Sequence, residues 1–252
     1  MIAQPARGAF YLLQGFGLIL KPGIRAFVLI PLLINFIFFA LFIWLGLMQL
    51  GDIIDHLMAS VPEWLQWLEW LIWPLFALTF IIIGFFISMM SANIIAAPFN
   101  GLLAEAVERH LGHAPASEGG GWKTLIKSLG PALLSEGRKI VYFLLRALPL
   151  LLLYVIPGIN ILAPVLWGLF AAWMLTLEYI DYPLSNHGQL FPDYRTMLRE
   201  RRLLSLGFGG AALALTVIPV LNFIAIPVAV AGATAMAVKE KLIQSGTAPI
   251  QV

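Results

Sequence analysis

The chain contains no cysteine and few charged residues. The absence of cysteine from its 252 residues excludes disulfides, thiolate catalysis and cysteine-ligated metal sites. Charged residues make up only 11% of the sequence and the net charge is +2, which excludes a typical nucleic-acid-binding protein. The hydrophobic fraction is 61%, more than a water-soluble fold of this length can bury. The composition therefore indicates an integral membrane protein.

Charged residues are missing altogether from four long stretches, at residues 26–51, 70–104, 147–177 and 203–238. A helix needs roughly 20 apolar residues to cross the hydrocarbon core of a bilayer. The first two stretches therefore predict one full transmembrane helix each. The third and fourth are too long for one ordinary span and too short for two spans with a turn.

The third and fourth stretches share an internal repeat that contains proline. The sequence Val-Ile-Pro-Gly-Ile-Asn at 155–160 is matched by Val-Ile-Pro-Val-Leu-Asn at 217–222, and each is followed by Pro-Val. Proline removes a helical hydrogen-bond donor and clashes with the preceding turn. Each stretch is therefore expected to divide into two half-length helices. They either cross the membrane as one kinked span or enter and return as a re-entrant hairpin.

The distribution of the 15 lysine and arginine residues favours the hairpins. If all four stretches crossed the membrane, the cluster of four arginines at 195–202 would lie on the side opposite to the other basic residues. If the third and fourth stretches are re-entrant, all the basic residues lie on one side, as the positive-inside rule requires.

The predicted fold class is an all-α integral membrane protein with two full transmembrane helices and two re-entrant helical hairpins. Residues 1–252 are expected to form a single membrane domain that begins with an amphipathic interfacial helix. The predicted segments are the interfacial helix at 5–20, transmembrane helices at 26–50 and 70–96, a cytoplasmic helical segment at 97–139, and hairpins at 140–178 and 203–243.

Motifs for catalysis are missing from the sequence. It has no H-E-x-x-H zinc motif, no G-x-S-x-G nucleophile elbow and no Walker A loop. Its four histidines do not form a recognisable ligand set. We therefore expect a protein that is not an enzyme and that has no metal and no cofactor.

A short cationic turn precedes the first transmembrane helix, with the sequence Lys21-Pro22-Gly23-Ile24-Arg25. Glycine allows the backbone to approach a ligand closely, and the start of a helix favours an anion. The guanidinium of Arg25 adds donors that match a tetrahedral oxyanion. The alternative is that Arg25 simply anchors the cytoplasmic end of the helix.

A second group of polar residues lies where a permeation path could use them. Asn160 and Asn222 fall near the tips of the two hairpins, where they either line a pore or cap the returning half-helix. Glu105, Glu108 and Arg109 follow the second transmembrane helix, and Glu105 and Arg109 have the spacing of an intrahelical ion pair. These five residues are the candidates for a pore or a gate.

Three segments resemble the CysZ-type sulfate permeases. The first runs from Lys-Pro-Gly-Ile-Arg at 21–25 into Phe-Val-Leu-Ile-Pro-Leu-Leu-Ile-Asn at 27–35. The second is Ala-Ala-Pro-Phe-Asn-Gly-Leu-Leu-Ala-Glu-Ala-Val-Glu at 96–108, and the third is Glu-Tyr-Ile-Asp-Tyr-Pro at 178–183 with Asn186 and His187. The matches occur in the expected order over most of the chain.

The resemblance implies sulfate uptake for cysteine biosynthesis across the bacterial inner membrane, without ATP hydrolysis by the protein. It implies a sulfate site at Gly23, Ile24 and Arg25, followed by Ala26 where many members have a second arginine. It also implies a multi-pass homo-oligomer, built from antiparallel dimers assembled into a larger ring. Membrane orientation stays open, because antiparallel dimers conflict with the single orientation that the charge distribution favours.

The leading hypothesis is an oligomeric sulfate channel or permease in the lipid bilayer, with no nucleic-acid partner. Transport would be driven by the sulfate gradient or by coupled protons, for which Glu105, Glu108 and Glu178 are the nearest candidates. The alternative from another class is a membrane scaffold or lipid-organising protein that does not transport. The half-penetrating hairpins and the amphipathic first helix are the features that favour this alternative.

Overall fold

The computed structural model describes residues 3–58, 62, 67, 69–113 and 122–243. Within these residues all regular structure is helical, so the prediction of an all-α protein is confirmed. The helices are α1 (Ala3–Ile19), α2 (Ala26–Met58), α3 (Glu69–His110), α4 (Trp122–Leu153), α5 (Ala163–Asn186), α6 (Phe191–Glu200), α7 (Arg202–Val217) and α8 (Pro219–Lys239).

Three helical segments among the described residues are long and apolar enough to cross a membrane. They are Ala26–Gln49 in α2, Ala163–Asn186, which is the whole of α5, and Leu221–Lys239 in α8. The first coincides with the first predicted transmembrane helix. In the second predicted transmembrane helix, Trp73–Ile87 of α3 is apolar, and the side chains of residues 88–97 lie outside the described part of the chain.

The chain divides into two compact units, one made of Met1–Arg25 with Asn100–Val252 and the other of Ala26–Phe99. In the second unit, the ring of Phe42 on α2 stacks on that of Phe80 on α3, with 4.8 Å between centroids. Gly46 faces the Phe80 ring, and a Cβ there would overlap it. A small residue thus allows the two helices to approach closely, as in other membrane helix pairs.

The core of the first unit is formed by α1, α5, α7 and α8. Its closest contacts are again made at glycines on the helix surfaces. An added Cβ at Gly8 or Gly15 of α1 would overlap the carbonyl of Leu204 on α7 or of Val228 on α8. Helix α8 is rich in buried alanine, whose small side chain also allows neighbouring helices to pack closely. Helix α1 is therefore part of the helical core of this unit, and its position relative to the membrane surface stays a prediction.

The helices on either side of the first proline repeat lie side by side and antiparallel. The indole Nε1 of Trp173 on α5 donates to the hydroxyl of Tyr142 on α4 at 2.9 Å. The rings of Phe143 and Phe170 stack at 5.6 Å between centroids. The connecting residues 154–162 are irregular and exposed. The chain therefore folds back at the predicted break, while re-entry into a membrane stays a prediction.

The second repeat also coincides with a break and a return of the chain. Ile218 is extended between α7 and α8, with φ −87° and ψ 111°. At the far ends of the two helices, Arg201 donates to the carboxylate of Glu240 at 2.7 Å. Glu240 is 8% exposed and also accepts bonds from Arg7 and, at 2.7 Å, from the hydroxyl of Tyr11. This buried carboxylate joins α1, α7 and α8 at one end of the unit.

Candidate functional site

The predicted anion-binding turn lies between the end of α1 and the start of α2. Gly23 has φ +86°, a left-handed conformation that favours glycine. The Lys21 carbonyl accepts hydrogen bonds from the N–H groups of both Ile24 and Arg25, each at 3.1 Å. The Ile24 side chain is only 2% exposed, so it anchors the turn in the core of the first unit.

The charged side chains of this turn remain accessible. Lys21 and Arg25 are both exposed, and none of the ion pairs found among the described residues includes either of them. The backbone N–H groups of Ile24 and Arg25 are both directed to the Lys21 carbonyl and not to the outside of the turn. The turn thus presents two cationic side chains on a backbone that is fixed by Gly23 and Ile24. Ala26 is exposed as the first residue of α2.

Glu108 is buried in a hydrogen-bonded pair with a histidine. Its carboxylate is 0% exposed, and Oε2 lies 2.8 Å from Nε2 of His187, which follows α5. Burial raises the pKa of Glu108, an effect opposed mainly by the hydrogen bond and charge of His187. The other oxygen, Oε1, is buried without a hydrogen-bond partner. Glu108 can therefore take up a proton at a higher pH than an exposed glutamate.

The Glu108–His187 pair joins two of the sequence segments that carry the family resemblance. The side-chain amide of Asn186 donates to the carbonyl of Gly101 at 3.0 Å, which is a second link between the same segments. Glu108 was predicted from the sequence as a pore or gate residue, and its pairing with His187 was not predicted. His187 and the adjacent Asn186 belong to the third segment that carries the resemblance, but neither residue type indicates a partner 79 positions away in the sequence.

A buried lysine that was not predicted as a site residue lies between α4 and α5. Lys139 is 6% exposed, and its ammonium contacts the carboxylates of Glu136, Glu178 and Asp181 at 2.9, 3.2 and 2.8 Å. Burial opposes the charge, but the attraction of Asp181 and Glu178 outweighs it, so the pKa of Lys139 is raised. Glu178, which the sequence suggested for proton coupling, thus lies in an ion-pair network with Lys139.

The other predicted pore or gate residues lie on three different segments of the chain. Arg109 is exposed and Glu105 half-buried near the end of α3. Asn160 is exposed in the irregular segment before α5, and Asn222 is exposed in the first turn of α8. The N-caps of α5 and α8 are Leu162 and Ile218, and neither makes a side-chain capping bond. The alternative that the asparagines cap the returning helices is therefore wrong, because the helices begin at other residues.

These features define an all-helical membrane protein with buried ionic groups and an exposed cationic turn. A family model described as "Sulfate transporter CysZ/Etoposide-induced protein 2.4" matches residues 11–227. The chain belongs to this family, as the resemblance predicted. Since it is a family of transporters, the prediction that the chain is not an enzyme is confirmed as well.

Individual relatives are similar over almost their whole length. The chain is 43% identical over 234 residues to a sulfate transporter CysZ of Pseudomonas aeruginosa strain LESB58, covering 93% of this chain and 95% of the relative. It is also 43% identical over 244 residues to the sulfate transporter CysZ of Pseudomonas fluorescens strain Pf0-1, covering 96% of each.

Proposed function

We propose that this protein transports sulfate across the bacterial inner membrane, as a channel or permease, and supplies sulfate for cysteine biosynthesis. The observation that carries the proposal is the 43% identity to named sulfate transporters over 93% of the chain. The cationic turn supports it, because sulfate is a dianion with four oxygen acceptors.

In this proposal Arg25 is the principal sulfate ligand, and Lys21 contributes a second positive charge. A guanidinium presents paired donors in a rigid plane, which suits two oxygens of a tetrahedral oxyanion. Gly23 allows the tight turn and Ile24 holds it against the core. With Ala26 in place of a second arginine, the turn has one guanidinium and binds sulfate weakly enough to release it.

The path across the membrane is proposed to need several copies of the chain. Two transmembrane helices and two re-entrant hairpins enclose too little space in one protomer for a hydrated dianion, so a homo-oligomer of antiparallel dimers is the proposed assembly. In this proposal Asn160 and Asn222, which are both exposed, line such a path. Glu105, Glu108 and Arg109 are the proposed gating group, and Glu108 is the one whose raised pKa suits proton coupling.

Sulfate flux into liposomes tests the proposal. Purified protein is reconstituted, and the uptake of radiolabelled sulfate is compared for wild type, Arg25→Ala and Arg25→Lys. Removing a hydrogen-bonded charge is expected to lower the initial rate at low sulfate about tenfold or more. Lysine keeps the positive charge but lacks the planar pair of donors, so the uptake rate of Arg25→Lys is expected to lie between those of the wild type and Arg25→Ala.

The matched control is Lys241→Gln, which removes an exposed positive charge outside the turn and is expected to leave uptake unchanged. Wild-type uptake no greater than that of empty liposomes contradicts sulfate transport and leaves the scaffold alternative. If Arg25→Ala takes up sulfate at the wild-type rate, the proposal of sulfate transport stands and the proposed binding site is contradicted.

A further inference from the structure

A cavity in the first unit is lined by four arginines that have no role in the proposed sulfate site. It has a volume of about 410 Å³ and lies among α4, α5, α6 and α7. We call it the arginine cavity, and its charged lining residues are Arg146, Arg195, Arg199 and Arg202. The aromatic side chains of Tyr142 and Trp173 form part of its wall.

Aromatic contacts hold two of these guanidinium groups in place. The guanidinium carbon of Arg146 lies 3.8 Å from the centroid of the Tyr142 ring, and that of Arg195 lies 5.2 Å from it. The Tyr142 ring is itself fixed, because its hydroxyl accepts the Trp173 indole hydrogen bond and its face meets Phe191 edge-on. Cation–π contacts leave the in-plane N–H donors of a guanidinium available to an anion.

The positive charge of the arginine cavity is not neutralised by acidic neighbours. None of the ion pairs found among the described residues includes any of the four arginines. The nearest carboxylate in the sequence is that of Glu200, which is exposed and belongs to none of these ion pairs, and the next, that of Asp193, accepts the N–H of Leu190. Four like charges around one space repel each other, so an anionic group in the cavity would stabilise the arrangement.

A second, apolar cavity of about 630 Å³ adjoins the first and shares Tyr142, Arg146 and Arg195 with it. Its wall includes Leu133, Leu134 and Leu145 of α4, whose side chains are 70%, 65% and 66% exposed. None of the described residues lining either cavity is acidic. A charged pocket thus adjoins a groove whose lining is mainly apolar, with Arg138 as its one charged residue outside the shared set.

We propose that the arginine cavity binds the phosphate of an anionic phospholipid, whose acyl chains lie in the adjoining apolar groove. Phosphate and sulfate are both tetrahedral oxyanions, so the arginines alone would accept either of them. The apolar groove favours the lipid, because a free oxyanion has nothing to place there. Basic pockets between membrane helices bind anionic headgroups in the same way.

Native mass spectrometry on the purified full chain tests this. The delipidated protein in neutral detergent is given equal amounts of dioleoylphosphatidylglycerol and dioleoylphosphatidylcholine, which share acyl chains and differ in headgroup charge. The wild type is expected to retain phosphatidylglycerol preferentially. Arg146→Gln with Arg195→Gln is expected to weaken this retention about tenfold or more, because each basic residue near a headgroup contributes on the order of a few-fold.

The matched control is Lys239→Gln with Lys241→Gln, which removes two positive charges that line neither cavity and is expected to keep the preference. Because Arg146 and Arg195 also stack on Tyr142, Arg199→Gln with Arg202→Gln serves as a second test pair that leaves the stacking intact. Unfolding midpoints without lipid show whether each variant is folded.

Equal retention of the two lipids by the wild type overturns the proposal, as does unchanged preference in both arginine pairs. A separate arm adds sodium sulfate at the ionic strength of a sodium chloride reference. If sulfate raises the unfolding midpoint of the wild type but not of the arginine pairs, and phosphatidylglycerol is not preferred, the cavity is a free-anion site and the lipid proposal is wrong. None of these measurements depends on sulfate flux, so they stand apart from the proposed function.

Discussion

At the scale of single residues, the structure explains Glu108 better than any pattern in the sequence does. From the sequence, Glu108 was one of several polar residues after an apolar stretch, and nothing indicated its burial. Its partner His187 is 79 positions further along the chain. A pairing over that distance depends on how α3 and α5 come together, and one sequence carries no local signal of it.

The pH dependence of stability is expected to report on this buried carboxylate. The pKa of Glu108 is raised above its ordinary value of 4.5 in the folded chain. The folded state therefore binds this proton more tightly than the unfolded state does. Its contribution to the unfolding free energy is fully present below the ordinary pKa and is lost as the pH rises through the folded pKa.

Glu108→Gln removes the titration with little change of shape. We expect the unfolding midpoint in detergent to fall less between pH 4.5 and pH 8 in this variant than in the wild type. Asp52→Asn, which removes an exposed carboxylate, is the control and should keep the wild-type pH profile. A pH profile of Glu108→Gln that runs parallel to that of the wild type would contradict the raised pKa of Glu108.

At the scale of helices, the proline repeats were the most informative part of the sequence. Both repeats coincide with breaks, the first in the irregular residues 154–162 and the second at Ile218. Proline acts on its own backbone and the preceding turn, so its effect can be predicted locally. Helix α6 was not predicted. Its first turn nevertheless has ordinary features of a helix start, namely Pro192 and the side chain of Asp193, which accepts a hydrogen bond from the Leu190 N–H.

The contact between α5 and α7 gives a prediction at this scale. Gly209 faces α5 so closely that an added Cβ would overlap the Ala172 carbonyl and lie 2.5 Å from the Thr176 hydroxyl. The backbone of Ala172 cannot move without displacing α5. Gly209→Ala is therefore expected to lower the unfolding free energy by about 1–3 kcal/mol, as overpacking does elsewhere.

The neighbouring Gly210 provides the control for this test. A Cβ there meets no atom within 4 Å, so Gly210→Ala is expected to be neutral or stabilising by up to about 1 kcal/mol, since alanine favours a helix. Thermal unfolding of both variants in one detergent measures the difference. Equal stability of the two variants would contradict the close approach of α5 and α7.

At the scale of the whole molecule, composition was enough to predict a membrane protein but not the path of the chain through the bilayer. The helical segments Ala163–Asn186 and Leu221–Lys239 are long enough to cross. The second lies within the hairpin predicted at 203–243, and the first begins within the hairpin predicted at 140–178 and continues beyond it. Length and hydropathy do not distinguish a helix pair that crosses twice from a hairpin that turns back inside the bilayer. The two paths differ in the side of the membrane from which residues 154–162 are accessible.

Mass-tagging of introduced cysteines distinguishes these paths, and the chain has no native cysteine to interfere. The double variant Asp52→Cys with Asn160→Cys places one thiol near the end of α2, beyond the apolar segment Ala26–Gln49, and one at the first predicted hairpin tip. A membrane-impermeant maleimide polymer is added outside sealed proteoliposomes. For a re-entrant hairpin the two thiols are never on the same side, so we expect no chain to carry two tags.

Asp52→Cys with Gly137→Cys is the reference, because Gly137 precedes the hairpin and both models place it opposite to Asp52. Each labelled chain of this variant should carry one tag, whichever way the protomer is inserted. The count of tags per chain therefore remains informative even if protomers adopt both orientations, as antiparallel dimers require. Doubly tagged chains in the Asn160 variant would mean that α4 and α5 each cross the membrane, and the chain would then have more full spans than its charge distribution predicts.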